Sequence, residues 1–126
     1  MSKTSLQYQL PSQGAPFTTV SIPHPTPRLN EICIRTKAIA LNGLDFKARN
    51  FGVMIQSYPA VLGIDAAGII DSVGESVKDF KAGDEVFTLC GMDTRAGAFQ
   101  EISTVPSHFV AKKPASLTFE EAASLP

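Results

Sequence analysis

Cysteine is scarce in this sequence. Cys33 and Cys90 stand far apart, with no CxxC pair, which argues against a disulfide framework or a thiolate-clamped metal and points to a reducing compartment. Charge of neither sign dominates: eleven Lys and Arg face twelve Asp and Glu, for a formal net charge of −1. That balance leaves no electrostatic footprint for DNA, RNA or an anionic membrane. No apolar run approaches the ~20 residues that a membrane span needs. Met1 to Leu10 is polar and lacks a signal peptide's apolar stretch, so a cytoplasmic chain is expected. Internal repeats and low-complexity tracts are missing too. What remains is globular: 126 residues, 44% hydrophobic and 18% charged, enough to bury one core without a staple. Nine glycines and nine prolines favour short strands and turns over a helical bundle.

Strand patterns fill the first forty residues. Ser5 to Leu10 alternates polar and apolar, as a half-buried strand does. Pro11-Ser12-Gln13-Gly14 reads as a turn and Pro16 to Ile22 as a second strand. Pro23-His24-Pro25-Thr26-Pro27 is an extended surface connection, because proline fixes φ and donates nothing to a ladder. His24 is expected to be exposed there. Glu31 to Leu41 is the clearest strand, with Ile32, Ile34, Thr36 and Ala38 on one face and Glu31, Cys33, Arg35 and Lys37 on the other. Leu44 to Phe51 suits a short helix stopped by Gly52. The run Ala60 to Ile70 is apolar except for Asp65 and continues to a turn at Gly74-Glu75. A second turn, Lys81 to Asp84, launches a strand from Glu85 to Leu89. Gly97 to Ile102 and His108 to Ala111 complete the set. Thr118-Phe119-Glu120-Glu121 is a capping-box signature. Barely one turn follows before Pro126, so the sequence reads as cut rather than finished, since nucleating a helix is costly without length or packing. Short strands between turns, with little helix, predict a mainly β chain folded as a small barrel or sandwich.

Several stretches, in this order, resemble the start of the medium-chain dehydrogenase/reductase superfamily. They are Ala40-Leu41-Asn42-Gly43-Leu44-Asp45-Phe46-Lys47, then Pro59 to Gly68 through Val73-Gly74-Glu75-Ser76-Val77, then Ala82-Gly83-Asp84-Glu85-Val86, Gly97 to Glu101, and Leu117 to Pro126. Each motif alone is weak; five in order, covering the chain from about Pro16 onward, are specific. The branch resembled is that of zinc-independent quinone oxidoreductases and fungal trans-acting enoyl reductases. The resemblance implies one domain over 1–126, a GroES-like, partly open β-barrel with short helices. It also implies NADPH as cofactor and a small-molecule substrate, a quinone, enone or enoyl group, reduced by hydride transfer.

Departures from the family pattern matter as much. Zinc-dependent members carry a cysteine where this chain has Asn42 and Gly-His-Glu where it has Gly63-Ile64-Asp65. Of the four-cysteine lobe only Cys90 lies in the corresponding stretch. Zinc takes thiolate, imidazole or carboxylate ligands, so no metal is expected. No GxGxxG opens a helix after a strand, so the Rossmann domain and its phosphate cradle are missing from this stretch. The polypeptide alone is expected to be inactive and to bind no cofactor tightly. The alternative function is a non-catalytic barrel, an interaction module or remnant, self-associating through uncovered apolar surface and strand edges.

Candidate residues carry two readings each. Asn42 faces the nicotinamide by resemblance, or ends a strand as an Asn-Gly turn. Asp45 is cofactor-binding by resemblance, or caps the helix from Leu44. Lys47 lies near the cofactor ribose and substrate carbonyl by resemblance, where it donates to a developing enolate oxygen, or is a solvated helix lysine. Asn42 and Lys47 are the catalytic candidates. Phe51, Met54 and Tyr58 line an adaptable apolar substrate pocket, or belong to the core. Asp65, in an apolar run, must be hydrogen-bonded or partly open to water. His24 and His108 show no base–nucleophile partner, and the two cysteines read as ordinary buried or half-buried thiols.

Overall fold

A computed structural model of the protein describes residues 3–125. Eight strands are β1 (Thr4–Leu10), β2 (Thr18–Pro23), β3 (Glu31–Ala40), β4 (Ala60–Val61), β5 (Asp65–Val73), β6 (Glu85–Leu89), β7 (Ile102–Pro106) and β8 (Val110–Lys112). Two α-helices are α1 (Gly43–Phe51) and α2 (Phe119–Ala123). The strands form a three-stranded sheet, β2-β1-β4, and a five-stranded sheet, β7-β3-β5-β6-β8, antiparallel throughout. The two sheets do not close into a barrel. The architecture is the mainly β, partly open one expected.

The inner face of the larger sheet carries Ile32, Ile34, Ile70, Val86, Val105 and Val110 as one buried cluster. A second cluster, Leu10, Ala48, Leu62 and Met92, lies under α1. Deleting a buried Ile or Leu from either costs about 2–5 kcal/mol, through lost transfer energy and the residual cavity. Gly97 lets the connection before β7 cross the smaller sheet: a Cβ there would lie 2.1 Å from the Val61 carbonyl oxygen.

Four expectations are corrected by the fold. β1 does alternate, but its polar set points inward: Ser5 and Gln7 are buried, whereas Leu6 and Tyr8 are exposed. Gln7 is satisfied inside, donating to the Gln100 amide oxygen at 2.8 Å and the Thr94 carbonyl at 2.6 Å, while Tyr8 stacks on Phe17 with ring centroids 4.7 Å apart. Cys33, by contrast, is fully buried, in keeping with its reading as a buried or half-buried thiol, because the proline-rich connection folds back over it; Sγ lies 3.7 Å from the Pro25 carbonyl and 3.4 Å from Thr104 Oγ1. His24 is not free in solvent; its Nε2 lies 2.8 Å from Asp71 Oδ2, and Arg35 reaches the other carboxylate oxygen at 3.3 Å. Finally, Gly97 to Ile102 is not a strand: Gln100 makes one isolated bridge to Gln7 and β7 starts at Ile102. His108 sits in a 3-10 turn, Ser107–Phe109, rather than opening β8.

The capping box at α2 is present, with the Glu121 N–H donating to Thr118 Oγ1 at 3.1 Å and the Thr118 N–H to the Glu121 carboxylate at 2.9 Å. Only five residues long, α2 persists because Ala122 and Ala123 are buried against Ala67, with Ala38, Ala40 and Phe87 alongside. Packing supplies what length does not.

Candidate functional site

The site is built where β3 ends and α1 begins. Asn42 has extended backbone angles, φ −143° and ψ 171°, and is the N-cap of α1 rather than the corner of a hairpin. Its Oδ1 accepts from the Leu44 N–H at 3.1 Å, and its own N–H donates to Asp45 Oδ2 at 3.1 Å, so two otherwise orphaned donors are met. Gly52 stops the helix at φ +73°, its N–H bonded to the Ala48 carbonyl, a conformation glycine adopts without strain. Asp45 and Ala48 face inward; Phe46 and Lys47 face out.

β5 pairs with β3 so that Asp65 lies opposite Ala40, which brings its carboxylate to Asn42. Asn42 Nδ2 donates to Asp65 Oδ2 at 3.2 Å. Burial raises the Asp65 carboxyl above its ordinary value, the Asp45 charge adds to this, and the Asn42 bond opposes both. The Asp45 Oδ1 atom is buried without a hydrogen-bond partner. Cys90, beyond β6, anchors its N–H on the Ile64 carbonyl. Its thiol is pushed up to about 12, by burial first and then by the charges of Asp65 and Asp93.

The structure therefore brings Asn42, Asp45 and Asp65 together. Asn42 is exposed and keeps one free Nδ2 hydrogen for an acceptor oxygen. Asp45 is only 9% exposed and is turned toward Asn42 rather than the surface. Lys47 is exposed and makes no ion pair among the described residues. Phe51, Met54 and Tyr58 are all exposed, which removes them from the core. Met54 lines a hollow of about 260 Å³ together with Gln56, Ser57, Met92 and Asp93; Phe51 and Tyr58 do not. Sequence reasoning passed over Met92 and Asp93, which lie in a loop far along the chain and carry no local pattern. A separate cavity of about 440 Å³ lies between the sheets, bordered by Gln9, His24, Arg95 and Thr104 among others. None of the residues singled out for cofactor or substrate borders it.

Residues 28–115 match the alcohol dehydrogenase GroES-like domain. The chain belongs to that family. It is 38% identical over 105 residues to a zinc-type alcohol dehydrogenase-like protein of Staphylococcus epidermidis, covering 83% of this chain and 30% of that protein. It is 36% identical over 124 residues to the trans-enoyl reductase tndF of Aspergillus flavipes, covering 93% of this chain and 36% of that one. Among solved structures it superposes on Escherichia coli quinone oxidoreductase complexed with NADPH, with a TM-score of 0.80 and 31% identity over 98% of this chain and 37% of that chain. The protein thus spans roughly a third of the length of these relatives. Quinone oxidoreductases and enoyl reductases are oxidoreductases, and the GroES-like domain is their N-terminal part.

The donor set at Asn42 does not fit a catalytic zinc. An amide and one carboxylate face each other there, and Ile64 packs its side chain against the Leu10–Ala48–Leu62–Met92 cluster. Among the described residues no three His, Cys, Asp or Glu side chains gather into a metal-holding group. A pyrophosphate fits no better. The N-termini of α1 and α2 are each closed by their own capping box: the Leu44 and Glu121 N–H groups are taken by the Asn42 amide oxygen and the Thr118 hydroxyl, and the Asp45 and Glu121 carboxylates already sit at the positive ends of the two dipoles. Among the described residues no helix is long and apolar enough to cross a membrane.

Proposed function

We propose that this chain is the substrate-domain portion of a cytoplasmic, zinc-independent, NADPH-dependent oxidoreductase. It acts by hydride transfer to a small quinone, enone or enoyl group, and the phosphate-binding Rossmann domain lies outside these residues. The observation that carries this reading is the match over nearly the whole chain to a quinone oxidoreductase solved with NADPH. The geometry supports it: Asn42 holds an exposed, oriented amide at the head of α1, with Lys47 on the same helix. Asp45 contributes through Asn42 rather than by direct contact; Met54 lines the hollow on the approach, and exposed Phe51 and Tyr58 offer further apolar surface outside it. Hydride chemistry belongs to the cofactor, and this chain's task is to orient the acceptor.

The test is an NADPH titration of the 126-residue chain by cofactor fluorescence, with a quinone or enone added afterwards. No binding up to millimolar NADPH, with binding and oxidation restored when a Rossmann domain of the same family is fused after Pro126, is the expected result. Micromolar binding with turnover by the chain alone would overturn the division of labour. Exposed Leu6, Tyr8, Leu41, Phe46 and Phe51 favour a second reading, association through apolar surface; a clean monomer by gel filtration at micromolar concentration counts against it.

A further inference from the structure

Asn42 carries two opposed hydrogen-bond anchors on one carboxamide. On one side Oδ1 accepts from the Leu44 N–H at 3.1 Å, a role that only the oxygen can fill. On the other, Nδ2 meets Asp65 Oδ2 at 3.2 Å, a role that only the nitrogen can fill while the carboxylate is ionised. Turning the amide over would set Nδ2 against an N–H and Oδ1 against a carboxylate, so both anchors would become repulsive at once. We infer that Asp65 is a positioning residue for Asn42, fixing the carboxamide so that its second Nδ2 hydrogen is presented to an acceptor oxygen, a carbonyl or hydroxyl, of whatever occupies the site.

The inference rests on the reading of Asn42 as a cleft residue only for the identity of the occupant; the orientation itself is a property of this chain. Asp65 suits the role because its backbone is fixed on both sides, opposite Ala40 of β3 and Leu89 of β6. Asn42 is fixed independently as the N-cap, with its N–H on Asp45. The ionisable groups facing Asp65 are Asp45 from α1 and Cys90 beyond β6. Asp65 is the one that Nδ2 meets: Asp45 Oδ2 takes the Asn42 backbone N–H while its Oδ1 stays without a partner, and the Cys90 thiol stays protonated across the working range.

The experiment is a 15N NMR pH titration of the Asn42 side-chain amide, assigned by its loss in Asn42→Asp. In the unsubstituted protein the two Nδ2 hydrogens are expected to be inequivalent and to shift as Asp65 protonates. Asp65→Ala should abolish that titration and speed hydrogen exchange at the amide. Asp65→Asn, whose amide oxygen can still accept, should abolish the titration but restore the slow exchange. Asp71→Asn, a carboxylate change elsewhere on β5, should leave the resonance pair where it is. An Asn42 amide indifferent to Asp65→Ala, or equally disturbed by Asp71→Asn, would overturn the assignment. Adding NADPH and then a quinone to the Rossmann-fused protein separates the two claims: if the amide responds to Asp65 but to neither ligand, the cleft reading fails while the positioning stands.

Discussion

Gln7 and Gln100, 93 positions apart in the chain, share a side-chain hydrogen bond of 2.8 Å in the buried seam between the two sheets. Gln100 then donates to the Gly97 carbonyl at 2.8 Å, which also receives the Ser103 hydroxyl at 2.8 Å. A buried polar chain of this kind specifies one register, because a slip of one residue would place Leu6 or Tyr8 where an amide is required. Gln7→Leu should therefore destabilise the protein despite adding hydrophobicity. It leaves the Gln100 amide oxygen buried without its donor and the Thr94 carbonyl with only the longer bond from Gln100 Nε2 at 3.2 Å, at a cost of about 1–3 kcal/mol. Leu6→Ser, at an exposed position on the same strand, should cost much less. Urea midpoints of the two variants decide this; equal shifts would mean that the amide seam contributes nothing specific.

The same strand shows where legibility in the sequence ended. Alternation over Ser5 to Leu10 revealed a half-buried strand, since the side-chain period is a local property. Which face went inward depended on Gln100, distant in sequence. Likewise Asn42-Gly43 reads locally as a turn, with the cap of the following helix at Asp45, whereas Asn42 itself is the N-cap. Asp45 three residues after Asn42 tipped it to a cap, because its carboxylate answers the Asn42 N–H. The motifs shared with the family were readable as a string, and the capping box at Thr118 held. What no local pattern could show was that His24 meets Asp71 47 residues away, or that Asp65 finds Asn42 across β3 and β5.

The His24–Asp71–Arg35 cluster ties the proline-rich connection to the larger sheet, and it should make stability depend on acid. Burial alone would raise the Asp71 carboxyl; the His24 hydrogen bond and charge, with those of Arg35, outweigh it and leave the group below its ordinary value of 3.8. A depressed carboxyl contributes stability that is complete above its unfolded value and is lost as pH falls through the folded one. Asp71→Asn should thus lower stability at pH 6, by about 1.5–3 kcal/mol for a partly buried, charge-assisted pair. The difference from the unsubstituted protein should narrow below pH 3.8. Thermal melts at pH 6 and pH 3 measure it, and a gap that widens in acid would contradict the assigned sign.

Helix α2 should be more sensitive to packing than to its cap. Thr118→Ala removes one capping bond, a change worth about 1 kcal/mol. Ala122→Leu forces a larger side chain into a fully buried position against the alanine-lined surface of β3 and β5, and overpacking of that kind costs about 1–3 kcal/mol. Because five residues cannot hold a helix unaided, the lost contact should release α2 as a unit. Amide exchange across Phe119–Ala123 should then approach that of an unfolded peptide in Ala122→Leu, while the strands stay protected. Persistent protection of α2 in that variant would show that its docking surface accommodates more than the observed packing allows.

Both thiols should be chemically quiet in the folded protein. Cys33 is fully buried and Cys90 half-buried, and neither is in a disulfide. Burial raises both thiols, Cys33 with Thr104 and Ser72 pulling the other way, Cys90 to about 12 with Asp65 and Asp93 adding to the rise. Only the thiolate attacks a disulfide reagent, so at pH 8 Cys90 presents a very small reactive fraction and Cys33 has no open path as well. Ellman's reagent should therefore report almost no fast-reacting thiol in native buffer and two per chain in guanidinium. Asp65→Asn should leave Cys33 silent and make Cys90 somewhat faster, since one of the negative charges that suppress its thiolate is gone. A Cys90 that reacts at the rate of a free thiol in the native protein would mean that the β6 end opens readily, and that the carboxylates beside it are solvated rather than enclosed.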